Sequence, residues 1–119
     1  MNFTFWEWYY SGIKLIEKHL SQFWFDGKIM GFVSAQKADE LLLKCKQGTF
    51  LLRFSDSEKG AISVRFVMNR KIYWLLSWSS NDLKRKGLAD RLKDIELLKY
   101  LYPDIPKDKA FGWHFTPSI

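Results

Sequence analysis

The chain has 119 residues, enough for one domain with a real hydrophobic core, and its net charge of +6 favours an acidic or phosphorylated partner. Its single cysteine, Cys45, excludes an internal disulfide and indicates a reducing compartment. No apolar run is long enough to span a bilayer and no signal peptide is recognisable, so we expect no membrane insertion.

The first predicted element is a helix from Phe3 to about Phe23, because its apolar residues recur at helical spacing. Its first two turns are aromatic on nearly every side, which is typical of a helix that is buried all round. Little of this chain lies beside that helix to bury it. We therefore expect the sequence to be part of a longer protein whose preceding domain covers the helix.

The middle of the chain predicts one helix followed by a sheet. The helix runs from Ala35 to about Lys44, with Ser34 as its N-cap. An apolar strand begins after Gly48, and alternating residues predict two more strands, Ala61–Met68 and Ile72–Trp78. Short turns join the three strands, so we expect an antiparallel meander.

A final helix is predicted from Leu88 to Tyr102 and ends before Pro103. The basic run Lys84-Arg85-Lys86 precedes it and is typical of a solvated loop. Together, the elements predict an α+β fold. A small central antiparallel sheet of about three strands has a helix on each face and is preceded by the N-terminal helix.

The strand after Gly48 poses the main functional question, because it carries one arginine in an apolar run. Period two divides its side chains into two sets: Phe50, Leu52 and Phe54 on one face, and Thr49, Leu51, Arg53 and Ser55 on the other. A buried arginine needs a partner, and a guanidinium binds two phosphate oxygens at once. Ser55, Ser57 and the amides of the turn supply further donors. The alternative is a surface arginine whose stem lies on the sheet.

The sequence contains no recognisable catalytic or metal-binding motif. The cysteine and histidines are too scattered for a metal site, and no phosphate-cradling glycine loop occurs. A triad of Ser55, His19 and Asp56 is conceivable, but Ser55 lacks a nucleophile elbow. The sequence therefore favours a binding module, without a metal or cofactor, over an enzyme.

Three long segments resemble one known family. Phe50-Leu51-Leu52-Arg53-Phe54-Ser55 is similar to the arginine strand of Src-homology-2 (SH2) domains, which bind phosphotyrosine. Gly48 to Ser57 resembles the form found in STAT proteins, the signal transducers and activators of transcription. The segments Lys18–Ser34 and Leu98–Gly112 resemble STAT proteins too, the first at the junction of the linker and SH2 domains.

The resemblance implies two parts, the end of a helical linker domain in residues 1–31 and an SH2 domain in residues 32–119. It also implies a phosphotyrosine pocket formed by Arg53, Ser55, Ser57 and the amide of Asp56. The implied partners are phosphorylated receptor tails and the phosphotyrosyl tail of a second STAT subunit, in a homo- or heterodimer. Such a protein moves from the cytoplasm to the nucleus on activation, and it grips DNA through domains outside this chain.

The chain departs from the family at the start of its first SH2 helix. Ala35 stands where STAT proteins usually have a phosphate-binding lysine, and Lys37 is an imperfect substitute half a turn away. Trp113-His114-Phe115 replaces a basic, tyrosine-bearing run. The resemblance also places Lys84-Arg85-Lys86 on a peptide-facing surface. Two alternatives stay open: a degenerate SH2-like scaffold that binds no phosphate, and direct nucleic-acid binding through the positive charge.

Overall fold

The computed structural model describes residues 3–117, and its first part is a helical segment that packs on a sheet. The segment consists of α1 (Phe5–Leu15), a π-helical turn (Ile16–Leu20) and α2 (Ser21–Phe25). Thr4 begins α1 with a capping box, in which the Thr4 hydroxyl accepts from the Glu7 amide and the Glu7 carboxylate accepts from the Thr4 amide. The predicted helical segment is confirmed, with the π turn as its one irregularity.

The helical segment is buried on one side only. Trp8, Leu15, Ile16, Leu20 and Phe23 enter the core, whereas four aromatic side chains of α1 are exposed: Phe5, Trp6, Tyr9 and Tyr10. The expected burial all round is therefore not present within the described residues.

The sheet is built around β1 (Thr49–Phe54), which pairs antiparallel with β2 (Ala61–Met68). On the far side of β2 lie β3 (Lys71–Trp74) and β4 (Trp78–Ser79). On the other side of β1, β5 (Tyr100–Leu101) pairs in parallel with it, and β6 (Ile105–Pro106) pairs with β5. The bounds predicted for the second strand are confirmed, and so is the α+β class, with short strands extending the antiparallel core.

The predicted third strand, Ile72–Trp78, is interrupted at residues 75–77. It becomes β3 and β4, which pair with opposite ends of β2: Trp74 lies opposite Arg65, and Trp78 opposite Ile62. Leu75 leaves the ladder, although its amide still donates to the Val64 carbonyl at 3.1 Å.

The predicted helix Leu88–Tyr102 is wrong in its second half. The structure has α4 (Ser80–Arg85) and α5 (Leu88–Lys93), and the chain then leaves the helix to join the sheet. The amides of Lys99 and Tyr100 donate to the Gly48 carbonyl, and these backbone bonds start β5. Pairing with a strand 51 positions away overrides the local helical pattern. The chain ends in α6 (Lys107–Phe111) and a 3₁₀ turn (Gly112–His114).

The two faces of β1 pack against different helices, as period two predicts. Phe50, Leu52 and Phe54 point into the larger core, which contains the N-terminal helices, α4, α5 and α6. Leu51 points into a smaller core with Val67 and with Ala38 and Leu42 of α3 (Ala35–Leu42). Arg53 is on this second face. The helix that covers the face is therefore α3, whose N-cap is Ser34, as predicted.

Residues on both sides of the predicted boundary between positions 31 and 32 share the larger core, which joins Leu20 and Phe23 to Phe50 and Phe111. The division into residues 1–31 and 32–119 stays a prediction. The outer ends of those ranges, residues 1–2 and 118–119, lie outside the described residues.

Candidate phosphate-binding site

Arg53 is almost fully buried in the middle of the fold, with 2% of its surface exposed. Its Nε donates to the Val33 carbonyl at 2.9 Å, and its Nη2 donates to Asp56 Oδ2 at 3.1 Å. The predicted burial on this face of the sheet is thus present, and the alternative of an arginine lying on the surface is wrong.

The segment before α3 is held against β1 by Gly31, and this fixes the Val33 carbonyl. The Gly31 amide donates to the Leu52 carbonyl, and the Phe54 amide donates to the Gly31 carbonyl. Gly31 has φ of 77°, and a Cβ there would lie 2.6 Å from the Trp24 ring. Only glycine fits at this position. Gly31 therefore lets the segment lie close to β1, where the Val33 carbonyl anchors the Arg53 guanidinium.

The turn after β1 is organised by the Ser55 hydroxyl. Ser55 Oγ accepts from the amides of Ser57 (3.2 Å) and Glu58 (3.0 Å) and lies 3.1 Å from Ser57 Oγ. This is the local hydroxyl-to-backbone bonding that serine favours in turns. Ser55 is buried and Ser57 is exposed, so the Ser57 hydroxyl is the one that faces solvent.

Arg53 and Asp56 carry opposite charges and form an ion pair. Burial lowers the pKa of the Arg53 guanidinium, and the nearby Asp56 carboxylate acts in the opposite direction. An arginine nevertheless stays charged at physiological pH. Asp56, whose side chain is 44% exposed, is the solvent-side partner of this ion pair. An incoming anion therefore has to compete with the Asp56 carboxylate for Arg53.

A second arginine lies on the same face of the sheet, and sequence analysis did not assign it to the site. Arg53 lies opposite Ser63, and Arg65 is two positions along β2, so the two arginines are diagonal neighbours. Arg65 forms a two-pronged pair with Asp39 of α3, at 2.7 and 3.1 Å. Its guanidinium also lies 4.9 Å from the centre of the Trp74 ring. The alternation of residues in β2 could have predicted that Arg65 lies on this face of the sheet.

The remaining predicted residues make no hydrogen bond or ion pair with Arg53 in the described part of the chain, and the phosphate-binding role of Lys37 stays a prediction. Lys37 is exposed in the first turn of α3, and its side chain has no ion-pair or hydrogen-bond partner among residues 3–117. Lys84, Arg85 and Lys86 end α4, which packs through Leu83 on the other face of the sheet. Arg85 pairs with Asp82 and Lys86 with Asp94. A peptide-facing role for this basic run stays a prediction.

The turn is also contacted from the N-terminal helix, which the sequence did not reveal. The Trp8 indole N–H donates to the Ser55 carbonyl at 3.0 Å, in a buried contact between residues 47 positions apart. Lys59 Nζ lies 3.7 Å from Glu7 Oε2. Helix α1 thus contacts both ends of the turn, at Ser55 and at Lys59.

The conceivable catalytic triad is not assembled. His19 Nε2 lies 2.9 Å from Ser80 Oγ, whereas Ser55 is engaged with Ser57. Among the described residues, no three acidic, histidine or cysteine side chains form a group suited to a metal ion. Nor does any helix within residues 3–117 have both the length and the apolar character needed to cross a membrane.

We predict that Asp56→Asn tightens binding of an anionic ligand at Arg53. The variant keeps the shape and backbone amide of the residue but removes the competing charge. Because the pair is half exposed, we expect a gain of about two- to fivefold. Titration with a phosphotyrosyl peptide measures it, with Asp104→Asn, an exposed carboxylate in another turn, as the control. Weaker binding by Asp56→Asn would show instead that the carboxylate helps hold the ligand.

A sheet between two helical layers, with a buried strand arginine beside a serine turn, is the arrangement of an SH2 domain. Residues 24–102 match the SH2 domain family. The chain is also 43% identical over 123 aligned residues to a protein of Anopheles gambiae called signal transducer and transcription activator. That alignment covers 99% of this chain and 17% of the relative's length. The chain belongs to the SH2 domain family, in the form found in STAT proteins.

Proposed function

We propose that this chain is a phosphotyrosine-binding module and not an enzyme. The observation that carries the proposal is the buried Arg53 beside the Ser55–Glu58 turn. Its planar guanidinium suits two phosphate oxygens at once. The hydroxyl of the exposed residue Ser57 and the Asp56 amide, which donates to no group among the described residues, offer further donors. The net charge of +6 favours a phosphorylated partner.

The wider role follows from the family and from the relative's name, which describes signal transduction and activation of transcription. The module would bind phosphorylated receptor tails and the phosphotyrosyl tail of a second subunit, giving a reciprocal dimer. The parent protein would then move from cytoplasm to nucleus and bind DNA through other domains. In this proposal, residues 1–31 end a linker domain and residues 32–119 form the SH2 domain.

The proposal is tested with a peptide library that has a fixed phosphotyrosine and randomised flanking positions. The best peptide and its unphosphorylated twin are then titrated against the chain by fluorescence anisotropy. We expect the phosphorylated peptide to saturate at micromolar concentration and its twin to bind far more weakly. Equal binding of the two peptides would refute the proposal.

The degenerate scaffold remains a second candidate, and two observations favour it. The Asp56 carboxylate already accepts a hydrogen bond from Arg53. Ala35, at the first position of α3, adds no positive charge to the pocket. Absence of saturable binding of every phosphotyrosyl peptide would support this candidate.

The variant Ala35→Lys tests whether the site binds phosphate weakly or not at all. A lysine at the start of α3 would add a cation near Arg53, and a half-exposed ion pair contributes about 0.2–1 kcal/mol. We therefore expect phosphopeptide binding to tighten by up to about fivefold. The matched control is Gln36→Lys, which adds the same charge at an exposed position next to it. Equal effects of the two variants would mean that only net charge matters.

A further inference from the structure

Helix α1 contacts the turn after β1 at two places and lies close to it at a third. The Trp8 indole donates to the Ser55 carbonyl, and Glu7 pairs with Lys59. A Cβ on Gly60, which closes the turn with φ of 73°, would lie 3.6 Å from the Ser11 side chain. Glu7, Trp8 and Ser11 lie on one side of α1. They meet the turn at its start, Ser55, and at its end, Lys59 and Gly60.

The indole contact fixes the part of the turn that would bind phosphate. Ser55 is held twice, through its carbonyl by Trp8 and through its hydroxyl by the amides of Ser57 and Glu58. The Ser55 amide is fixed as well, since it donates to the Ala61 carbonyl at 2.9 Å. A hydrogen bond between a buried donor and a buried acceptor restrains the orientation of both groups, because leaving either one unpaired costs free energy.

Aromatic packing around Trp8 supports this contact. The Trp8 ring meets Phe32 edge to face, with centroids 5.2 Å apart, and Phe32 packs against Phe54 at the end of β1. Phe32 also fills the space beside Gly12, where a Cβ would lie 2.8 Å from the Phe32 ring. The position of α1 is therefore tied to the end of the strand that carries Arg53.

We infer that Trp8 is a positioning residue for phosphotyrosine binding, and that helix α1 holds the Ser55–Glu58 turn in its binding conformation. The inference rests on the proposed function of this turn. It adds a form of regulation, because any movement of α1 away from the sheet releases the turn and weakens the pocket. The upstream part of a longer chain would then act on the pocket through α1.

The experiment uses the chain of 119 residues with Trp8→Phe, which keeps an aromatic ring but loses the N–H. We expect phosphopeptide affinity to fall about three- to tenfold, the range for one lost hydrogen bond. The control is Trp6→Phe, since Trp6 lies on the same helix but is 73% exposed. Its indole makes no hydrogen bond among the described residues, so we expect less than a twofold change.

Two readouts separate positioning from general destabilisation. Hydrogen exchange at the Ser57 and Glu58 amides should rise in Trp8→Phe, while exchange in β2 stays unchanged. In a double-mutant cycle, Trp8→Phe and Ser57→Ala should be non-additive, because both act through the turn. Additive effects, or faster exchange throughout the sheet, would overturn the inference.

Glu7→Gln gives an independent test that keeps the helix cap, since glutamine also serves in a capping box. Loss of the pair with Lys59 should weaken binding slightly if α1 holds the turn. If α1 did not hold the turn, Glu7→Gln would only remove a negative charge and would tighten phosphopeptide binding. Tighter binding by this variant would therefore contradict the inference. Failure of the wild type to distinguish the phosphorylated peptide from its twin would refute the proposed function instead.

Discussion

Replacement of Arg53 by alanine should reduce phosphopeptide affinity at least tenfold. Truncating one partner of a buried charge pair costs roughly 2–5 kcal/mol, and each 1.4 kcal/mol is about tenfold in affinity. No other described cation has Arg53's combination of burial, an anchored Nε and a place beside the serine turn. The measurement is a titration of phosphorylated and unphosphorylated peptides against both proteins. The difference between the two peptides should largely disappear in the variant.

A matched control removes the same charge elsewhere. Arg70 lies in the turn between β2 and β3, with φ of 62°, a conformation that asparagine tolerates. Arg70→Asn should therefore leave phosphopeptide affinity within about twofold. If Arg53→Ala does not fold, Arg53→Lys keeps the charge but loses the planar fork, and it should also bind weakly. Wild-type affinity in either folded Arg53 variant would contradict the assignment.

Leu20→Ala should lower the free energy of unfolding of the whole domain by about 2–5 kcal/mol, the usual cost of truncating a buried leucine to alanine. Leu20 ends the π-helical turn, has no exposed surface, and belongs to the larger core together with Leu52 and Ile62. Because it packs into the same core as the sheet, we expect one cooperative transition at a lower denaturant midpoint. Urea unfolding followed by tryptophan fluorescence measures it.

Phe25→Ala is the control for this prediction, since Phe25 is 83% exposed in the neighbouring helix α2. A surface truncation of this kind should change stability by no more than about 0.5 kcal/mol. Two separate transitions, with only the first affected by Leu20→Ala, would mean that the N-terminal segment folds apart from the sheet.

The local patterns in the sequence were sufficient for the centre of the fold. Strict alternation over Ala61–Met68 predicted the bounds of β2, and period two in β1 separated Arg53 from the face of Phe50, Leu52 and Phe54. Ser34 was recognisable as an N-cap because its hydroxyl has a local partner, the Lys37 amide. These features depend on neighbours along the chain, so the sequence contains them directly.

The errors arose where distant partners decide the structure. The segment after Lys93 has helical spacing, but the Gly48 and Phe50 carbonyls bind its backbone and make it a strand. Likewise, the pairing of Arg65 with Asp39 and of Trp8 with Ser55 joins residues 26 and 47 positions apart. No period in the sequence reports such contacts. The burial of Arg53 beside a serine turn was therefore predictable, and the contacts of Arg65 and Trp8 were not.

In the proposed phosphate complex, the Arg53–Asp56 pair would have a kinetic consequence. As a phosphorylated ligand begins to leave, the adjacent Asp56 carboxylate would take its place on the guanidinium, so Arg53 would not be left unpaired during exchange. We expect this substitution to speed dissociation, the step in which affinities of related complexes usually differ. A complex that is renewed quickly would let the module sample many tyrosines and report promptly when a phosphatase removes one.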